Sequence, residues 1–258
     1  MSIEQKLSSR RLADGTVGGA VTKQVTVIVP CYNEAETIGF LAEKLREMEA
    51  DASPEIEFHY ILVDDGSSDK TWDLLQQHFG HLPEFQLLQH GNNRGIMAAL
   101  KTGMAAAKTE WVATIDADCT FDPLKLLDLI AQAGPDVDVV VGSPYHPKGG
   151  VENVPRWRLA LSQGASVIYT RLFRTKLYSY TSCFRVYRRS TIENLQIESD
   201  GFVGMAEILW RLENKGARMA EVPAVLKVRR YGQSKMRTLQ VIGEHLGLMR
   251  QMAFTRRK

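Results

Sequence analysis

Short β-branched runs alternate along this chain with segments of helical period, and few folds accommodate that rhythm. VTVIVP (25–30), FHYILVDD (58–65), FQLLQH (85–90), WVATIDAD (111–118) and VDVVVGS (137–143) read as strands. Between them apolar residues recur at helical spacing, as Ile38, Leu41, Leu45 and Met48, as Trp72, Leu74, Leu75 and Phe79, as Met97, Leu100 and Met104, and within LKLLDLIAQA (124–133). The alternation predicts an α/β fold, a mostly parallel central sheet with helices on both faces. Ligands of such sheets bind beyond the carboxyl ends of the strands. The polar clusters Tyr32-Asn33-Glu34, Asp64-Asp65-Gly66-Ser67, Asn92-Asn93-Arg94-Gly95 and Asp116-Ala117-Asp118 fall at those ends. Four clusters in corresponding places predict one shared site.

The same rhythm sets the boundaries. Residues 1–24 are polar and glycine-bearing without steady period, which predicts a loose tail, and the fold is expected from Val25. After Ser143 come an apolar stretch from Leu159 to Phe173, a strand-like Ser182 to Tyr187, a helix near Met205 to Lys215 and a strand near Val222 to Val228. No linker separates them, so 25–235 is expected to be one domain. Residues 236–258 are expected to form a basic amphipathic helix, with Leu239, Ile242, Leu246, Met249 and Met252 as its apolar stripe. Such a stripe more often packs on its own protein, although it also suits a membrane interface.

Charge is informative by its distribution. A net charge of +2 is no footprint for nucleic acid. Yet no acidic residue lies between Asn153 and Ile192, a span that holds Arg156, Arg158, Arg171, Arg174, Lys176, Arg185, Arg188 and Arg189, and only Glu244 opposes the basic residues from Arg229 to Lys258. Such blocks form solvated faces as readily as they receive an anionic substrate or membrane surface. Cys31, Cys119 and Cys183 lack the spacing of a disulfide framework or a zinc site. With no leader-like opening and no bilayer-length apolar run, the chain is expected in the cytoplasm or peripherally on the cytoplasmic face of a membrane.

Asp116 and Asp118 carry the strongest chemical signal. Two carboxylates one residue apart at a strand end can hold a hard divalent cation, Mg2+ or Mn2+, that bridges to a pyrophosphate. Aspartates also build turns and helix caps, as Asp122-Pro123 is placed to do, and the pair alone does not choose. Asp64-Asp65-Gly66-Ser67-Ser68-Asp69 leaves the same choice open between contact with a base or ribose and a turn followed by an N-cap. Tyr32 offers a ring for stacking on a base, or simply for packing.

Together these pieces resemble a known family. VTVIVPCYNE (25–34), ILVDDGSSD (61–69), NNRGIMAALKTGMAAA (92–107) and IDADCTFDP (115–123) look like the successive nucleotide-sugar motifs of family 2 glycosyltransferases with the GT-A fold, a Rossmann-like architecture. GSPY (142–145), RWRLALS (156–162), SCFRVYRR (182–189), EVP (221–223) and RRYGQSK (229–235) resemble the branch typified by dolichol-phosphate mannose synthase and bacterial polyprenyl-phosphate sugar transferases. The resemblance implies that Pro30, Tyr32, Glu34, Asp64 and Asp65 contact the nucleoside of the donor, GDP-mannose or a UDP-sugar, and that Asp116 and Asp118 hold the metal on its diphosphate. It implies an acceptor phosphate among Arg158, Ser162, Arg229 and Lys235, with Asp118, Arg158, Arg229 and Lys235 carrying the reaction. Two departures stand out. Thr120 stands where the family often has Gln or a small hydroxyl residue, which leaves a third metal ligand open, and Pro144 stands where the family has arginine, so that either Arg156 or Lys148 compensates or the acceptor is not the usual lipid phosphate.

A phosphate acceptor needs no strong base, being largely ionised near neutral pH with a second pKa of about 6. The expected reaction is a single inverting displacement, helped by metal on the leaving diphosphate and cations around the attacking oxygen. Transfer to a hydroxyl would require a carboxylate base, for which Glu207 is the candidate. A nucleotide-sugar binding protein without activity is the third reading. The lack of a QxxRW motif speaks against a processive polysaccharide synthase.

Overall fold

The computed structural model describes residues 23–231 and 238–255, except the side chains of residues 156–158 and 238–239. The chain runs through β1 (Lys23–Cys31), α1 (Ile38–Asp51), β2 (Ile56–Asp64), α2 (Thr71–Phe79), β3 (Phe85–Gln89), α3 (Ile96–Ala106) and β4 (Trp111–Thr114). A 3-10 turn at Pro123–Lys125 follows, then α4 (Leu126–Gln132), β5 (Val139–Ser143), β6 (Gly150–Glu152) and α5 (Arg156–Leu172). The rest comprises β7 (Arg185–Arg188), the short α6 (Arg189–Ile192), α7 (Gly204–Asn214), β8 (Met219–Pro223), β9 (Val225–Lys227) and α8 (Thr238–Thr255).

Seven strands form one sheet in the order β3-β2-β1-β4-β7-β5-β8, and β6 pairs with β9 beside it. Only β7 runs antiparallel to its neighbours, so the sheet is mostly parallel as expected. Side chains of successive strand residues point to opposite faces. Val25, Val27 and Val29 of β1 accordingly join Leu41, Leu45, Leu75 and Leu129 in one core layer. Ile28 faces the other way, to Met97, Leu100, Ile208 and Leu209. Burying each such side chain is worth about 1.5–3 kcal/mol.

Differences from expectation have local causes. β1 begins at Lys23 rather than Val25, because the Lys23 ammonium reaches the carbonyls of Ile130 at 2.8 Å and Ala133 at 2.5 Å. That tether has no apolar signature. β4 ends at Thr114, short of the expected 118, because the following residues turn away, with Cys119 at φ 52° and its N–H 3.2 Å from the Asp116 carbonyl. Asp122 does cap the next turn, accepting the Leu124 N–H at 3.1 Å. The strand expected from Val222 to Val228 is divided at Ala224 between β8 and β9. In α8, Leu248, Met249 and Met252 are buried while Leu246 is 57% exposed, so its inward face is rotated from the expected stripe. His245 of α8 hydrogen-bonds Tyr169 of α5 at 2.7 Å.

Candidate active site

β1 and β4 are neighbours, but the chain leaves β1 for β2 and β3 on one side, whereas β4 borders β7 on the other, with β5 beyond it. Such a reversal of strand order, at the carboxyl ends of β1 and β4, is where open α/β sheets bind their ligands. Asp116 and Asp118 follow β4 there, on a turn that holds Cys119 in the left-handed region, a strained setting for a non-glycine residue. Burial first, and then the neighbouring charge of Asp118, pushes the Asp116 pKa up to about 7, although the Cys183 thiol hydrogen-bonds its carboxylate. Asp118 is 9% exposed. Its Oδ1 accepts the Thr120 N–H at 3.0 Å, and its Oδ2 accepts Nε of Arg229 at 2.9 Å and Nη2 at 2.8 Å. Nη1 of the same guanidinium lies 3.0 Å from Glu34 Oε1. Four residues singled out in the sequence, Glu34, Asp116, Asp118 and Arg229, therefore meet at one point.

Like charges pressed together in a partly dry turn fit a hard divalent cation. Among the described residues no group of three or more His, Cys, Asp and Glu side chains is arranged to hold a metal. Thr120 offers its N–H to Asp118 and its carbonyl to the Lys227 N–H at 2.8 Å.

The loop after β2 forms the other wall. Asp64 accepts the Ser67 hydroxyl and N–H on one oxygen and Gln89 Nε2, at 2.9 Å, on the other. Asp65 is engaged on both carboxylate oxygens. It is buried, and its carboxylate accepts from His90 Nδ1 at 2.6 Å, Asn93 Nδ2 at 3.1 Å and the N–H groups of Arg94 at 3.1 Å and Gly95 at 2.8 Å. These bonds brace the loop of residues 92–95. Gly66 makes that approach possible: at φ 70°, a Cβ there would sit 2.3 Å from the Asn92 carbonyl carbon. Asn33, at φ 51°, accepts the N–H groups of Ser68 at 2.8 Å and Asp69 at 3.3 Å, tying the β1 and β2 loops together. Pro30 and Tyr32 are half-buried beside them. Gln89 and His90 were legible only as the end of a strand, and the parallel register that sets Gln89 beside Asp64 is what gives them a role.

On the opposite flank, Ser162 of α5 is half-buried and hydrogen-bonds the Tyr145 phenol. The side chain of Arg158 and all of Lys235 lie outside the described residues. Pro144 is buried and Lys148 exposed, while the side chain of Arg156 is not described. Between α5 and α8 lies an apolar cavity of about 390 Å³ whose walls include Leu161, Ser162, Ile168, Phe202 and Leu246.

Much of the basic block is structural. Arg185 is fully buried, donating to the carbonyls of Met205 at 2.7 Å and Tyr180 at 2.8 Å. Arg188 pairs with Glu110 at 2.8 Å and stacks 4.5 Å over the Trp111 ring. Glu207, the candidate base for a hydroxyl acceptor, is buried and accepts Arg211 Nε at 2.6 Å and the N–H groups of Glu198 and Ser199 at 2.9 Å. Burial alone would raise its pKa, but the Ser199 hydroxyl, these N–H donors and Arg211 outweigh it and hold the carboxyl below its ordinary value. Glu207 is an anchor for the chain entering α7.

Residues 26–196 match the model of Glycosyl transferase family 2. The chain belongs to that family. This glycosyltransferase is 30% identical over 227 residues to the polyprenol monophosphomannose synthase of Mycolicibacterium smegmatis, covering 83% of this chain and 82% of that one. It is 29% identical over 217 residues to the dolichol-phosphate mannosyltransferase of Pyrococcus furiosus, covering 83% of this chain but only 59% of the archaeal protein. Among solved structures, the mannosyltransferase of Pyrobaculum calidifontis in complex with GDP-Man and Mn2+ is similar with a TM-score of 0.62 and 20% identity, covering 98% of this chain and 71% of that one. Glucosyl-3-phosphoglycerate synthase of Mycobacterium tuberculosis, in complex with Mn2+, UDP and its product, gives 0.62 and 16%, covering 99% and 84%. At such identities the structural likeness speaks for the fold, and this family 2 glycosyltransferase has the GT-A architecture.

Proposed function

We propose that this glycosyltransferase moves a hexose from a nucleoside-diphosphate sugar to a polyprenyl phosphate, with inversion, and that Asp116 and Asp118 hold the required Mg2+ or Mn2+. The observation that carries this reading is the meeting of two acidic ligands with Arg229 at the strand-order reversal, because it sets a cation site and a phosphate-seeking guanidinium within one side chain of each other. The two relatives named for polyprenol and dolichol phosphate lend support. So does the engagement of Glu207, which leaves the hydroxyl-acceptor reading without its base.

Bound at the pair, the divalent cation supplies Lewis-acid stabilisation of the leaving diphosphate. The chain's own residues do the rest. Pro30, Tyr32 and Asp64 line the donor side, where Asp64 is oriented by Ser67 and Gln89. Ser162 and Arg229, with Arg158 and Lys235, align the acceptor phosphate and offset its charge, so that two anions can approach each other. The apolar cavity beside Ser162 suits the first isoprene units, and the exposed Leu161, Ile168 and Leu246 suit a membrane surface. Among the described residues no helix is long and apolar enough to cross a bilayer.

Purified protein incubated with radiolabelled GDP-mannose or UDP-sugars, polyprenyl phosphate and Mn2+ or Mg2+ should place label in an organic-extractable product that mild acid releases. EDTA or Asp118→Asn should abolish it. Label confined to water-soluble products, or transfer undiminished in EDTA, would sink the reading.

A further inference from the structure

Arg229 holds two carboxylates at once, and the geometry points to a latch. We infer that in the donor-free chain its guanidinium takes the side of Asp118 that a divalent cation needs, and that it yields only when cation and diphosphate arrive together. The inference rests on the donor and metal reading above and adds an order of events to it.

Both oxygens of Asp118 are engaged. Oδ1 receives the Thr120 N–H at 3.0 Å, and Oδ2 receives Nε and Nη2 of Arg229 at 2.9 and 2.8 Å. A cation approaching Oδ2 alone must push aside a charge of its own sign and leave that guanidinium short of a partner. A cation arriving on a diphosphate brings anionic oxygens that can accept the displaced N–H groups, so the exchange of partners is nearly balanced. The binding of cation and nucleotide is then positively coupled, each tightening the other by the same factor.

Glu34 gives the latch its pivot. Its Oε1 is 3.0 Å from Nη1 of Arg229, and its side chain is only 10% exposed. Its backbone is fixed independently, the N–H donating to Thr71 Oγ1 at 2.7 Å and the carbonyl accepting Thr37 Oγ1 at 2.9 Å. When Asp118 turns to the cation, Glu34 retains one edge of the guanidinium, and the edge formed by Nε and Nη2 becomes available to an incoming phosphate. Glu34, expected in the sequence to touch the nucleoside, is thereby a positioning residue for the acceptor cation. Its consequence is an ordered reaction: the acceptor phosphate finds Arg229 only after the donor is seated.

The test is Mn2+ titration followed by loss of the free-ion EPR spectrum, with and without GDP or UDP. The proteins are the wild type, Arg229→Gln and Arg230→Gln, with Asp118→Asn as the zero-binding reference and circular dichroism to verify folding. Arg230 is a charge control, because it lies over the rings of Phe40 at 5.1 Å and Tyr231 at 5.4 Å and not on the carboxylates. Arg229→Gln should bind Mn2+ alone roughly tenfold more tightly than wild type and lose most of the gain conferred by nucleotide, while Arg230→Gln behaves as wild type. The latch is overturned, with the metal reading intact, if Arg229→Gln binds Mn2+ alone no better than wild type, or if Arg230→Gln tightens binding equally. Failure of every protein to take up Mn2+, nucleotide present or absent, overturns the metal reading and the latch with it.

Discussion

Asp116 illustrates how a site residue is maintained at a cost to the fold. Its pKa rises from an ordinary 3.8 to about 7 because burial and Asp118 disfavour its ionised form. An acid whose folded pKa lies above its unfolded value weakens the fold as pH climbs between the two, and the penalty is complete above the folded pKa. Asp116→Asn carries no charge to bury, so the metal-free variant should melt higher than wild type at pH 8, with the advantage shrinking toward pH 4. Melting curves in EDTA across that range check this, and an advantage independent of pH would contradict it. Asp65 shows the opposite bargain. Four partners satisfy it, and of these the buried His90 is the one that removal of the carboxylate would orphan, at roughly 1–3 kcal/mol.

Elements reach the site by different routes. β1 and β4 deliver their residues through the sheet itself, whereas the loop carrying Arg229 follows β9, whose pairing with β6 is the short second sheet. β7 matters for another reason. Wedged antiparallel between β4 and β5, it carries the buried Arg185, which ties the chain at Tyr180 to the start of α7 at Met205. Arg185→Ala leaves both carbonyls without this donor and should cost roughly 1–3 kcal/mol for each. Arg174, exposed in the same basic run, should change stability by about 0.5 kcal/mol or less when replaced by Gln. Urea unfolding midpoints of the two variants separate structural from solvated arginines, and equal midpoints would refute the division.

At the scale of the whole molecule, the parallel half supplies the proposed donor wall and the half after β5 supplies α5 and α8, whose exposed apolar residues flank the cavity beside Ser162. If that surface meets a membrane, replacing Leu161, Ile168 and Leu246 together by Asp should abolish flotation with anionic liposomes. Mn2+ uptake with nucleotide should be untouched. Wild-type flotation should also weaken as salt rises, since exposed charge attraction is screened within about 8 Å at physiological ionic strength. Flotation of the triple variant equal to wild type would refute a membrane role for this face.

The sequence by itself determined the alternating α/β architecture, the placement of Asp116 and Asp118 past a strand end, and family membership. Each is written in local period or in contiguous motifs, and neighbouring residues alone produce them. Tertiary structure alone decided which partners each charged residue meets. Arg185 and Arg229 are indistinguishable as letters, yet one is sealed among carbonyls while the other lies against Asp118 and Glu34. Asp64 and Asp65 are adjacent, but the parallel register gives the first Gln89 and the 92–95 loop claims the second. The physical reason is that a charge takes its role from the dielectric and partners around it, and those come from segments far away in the chain.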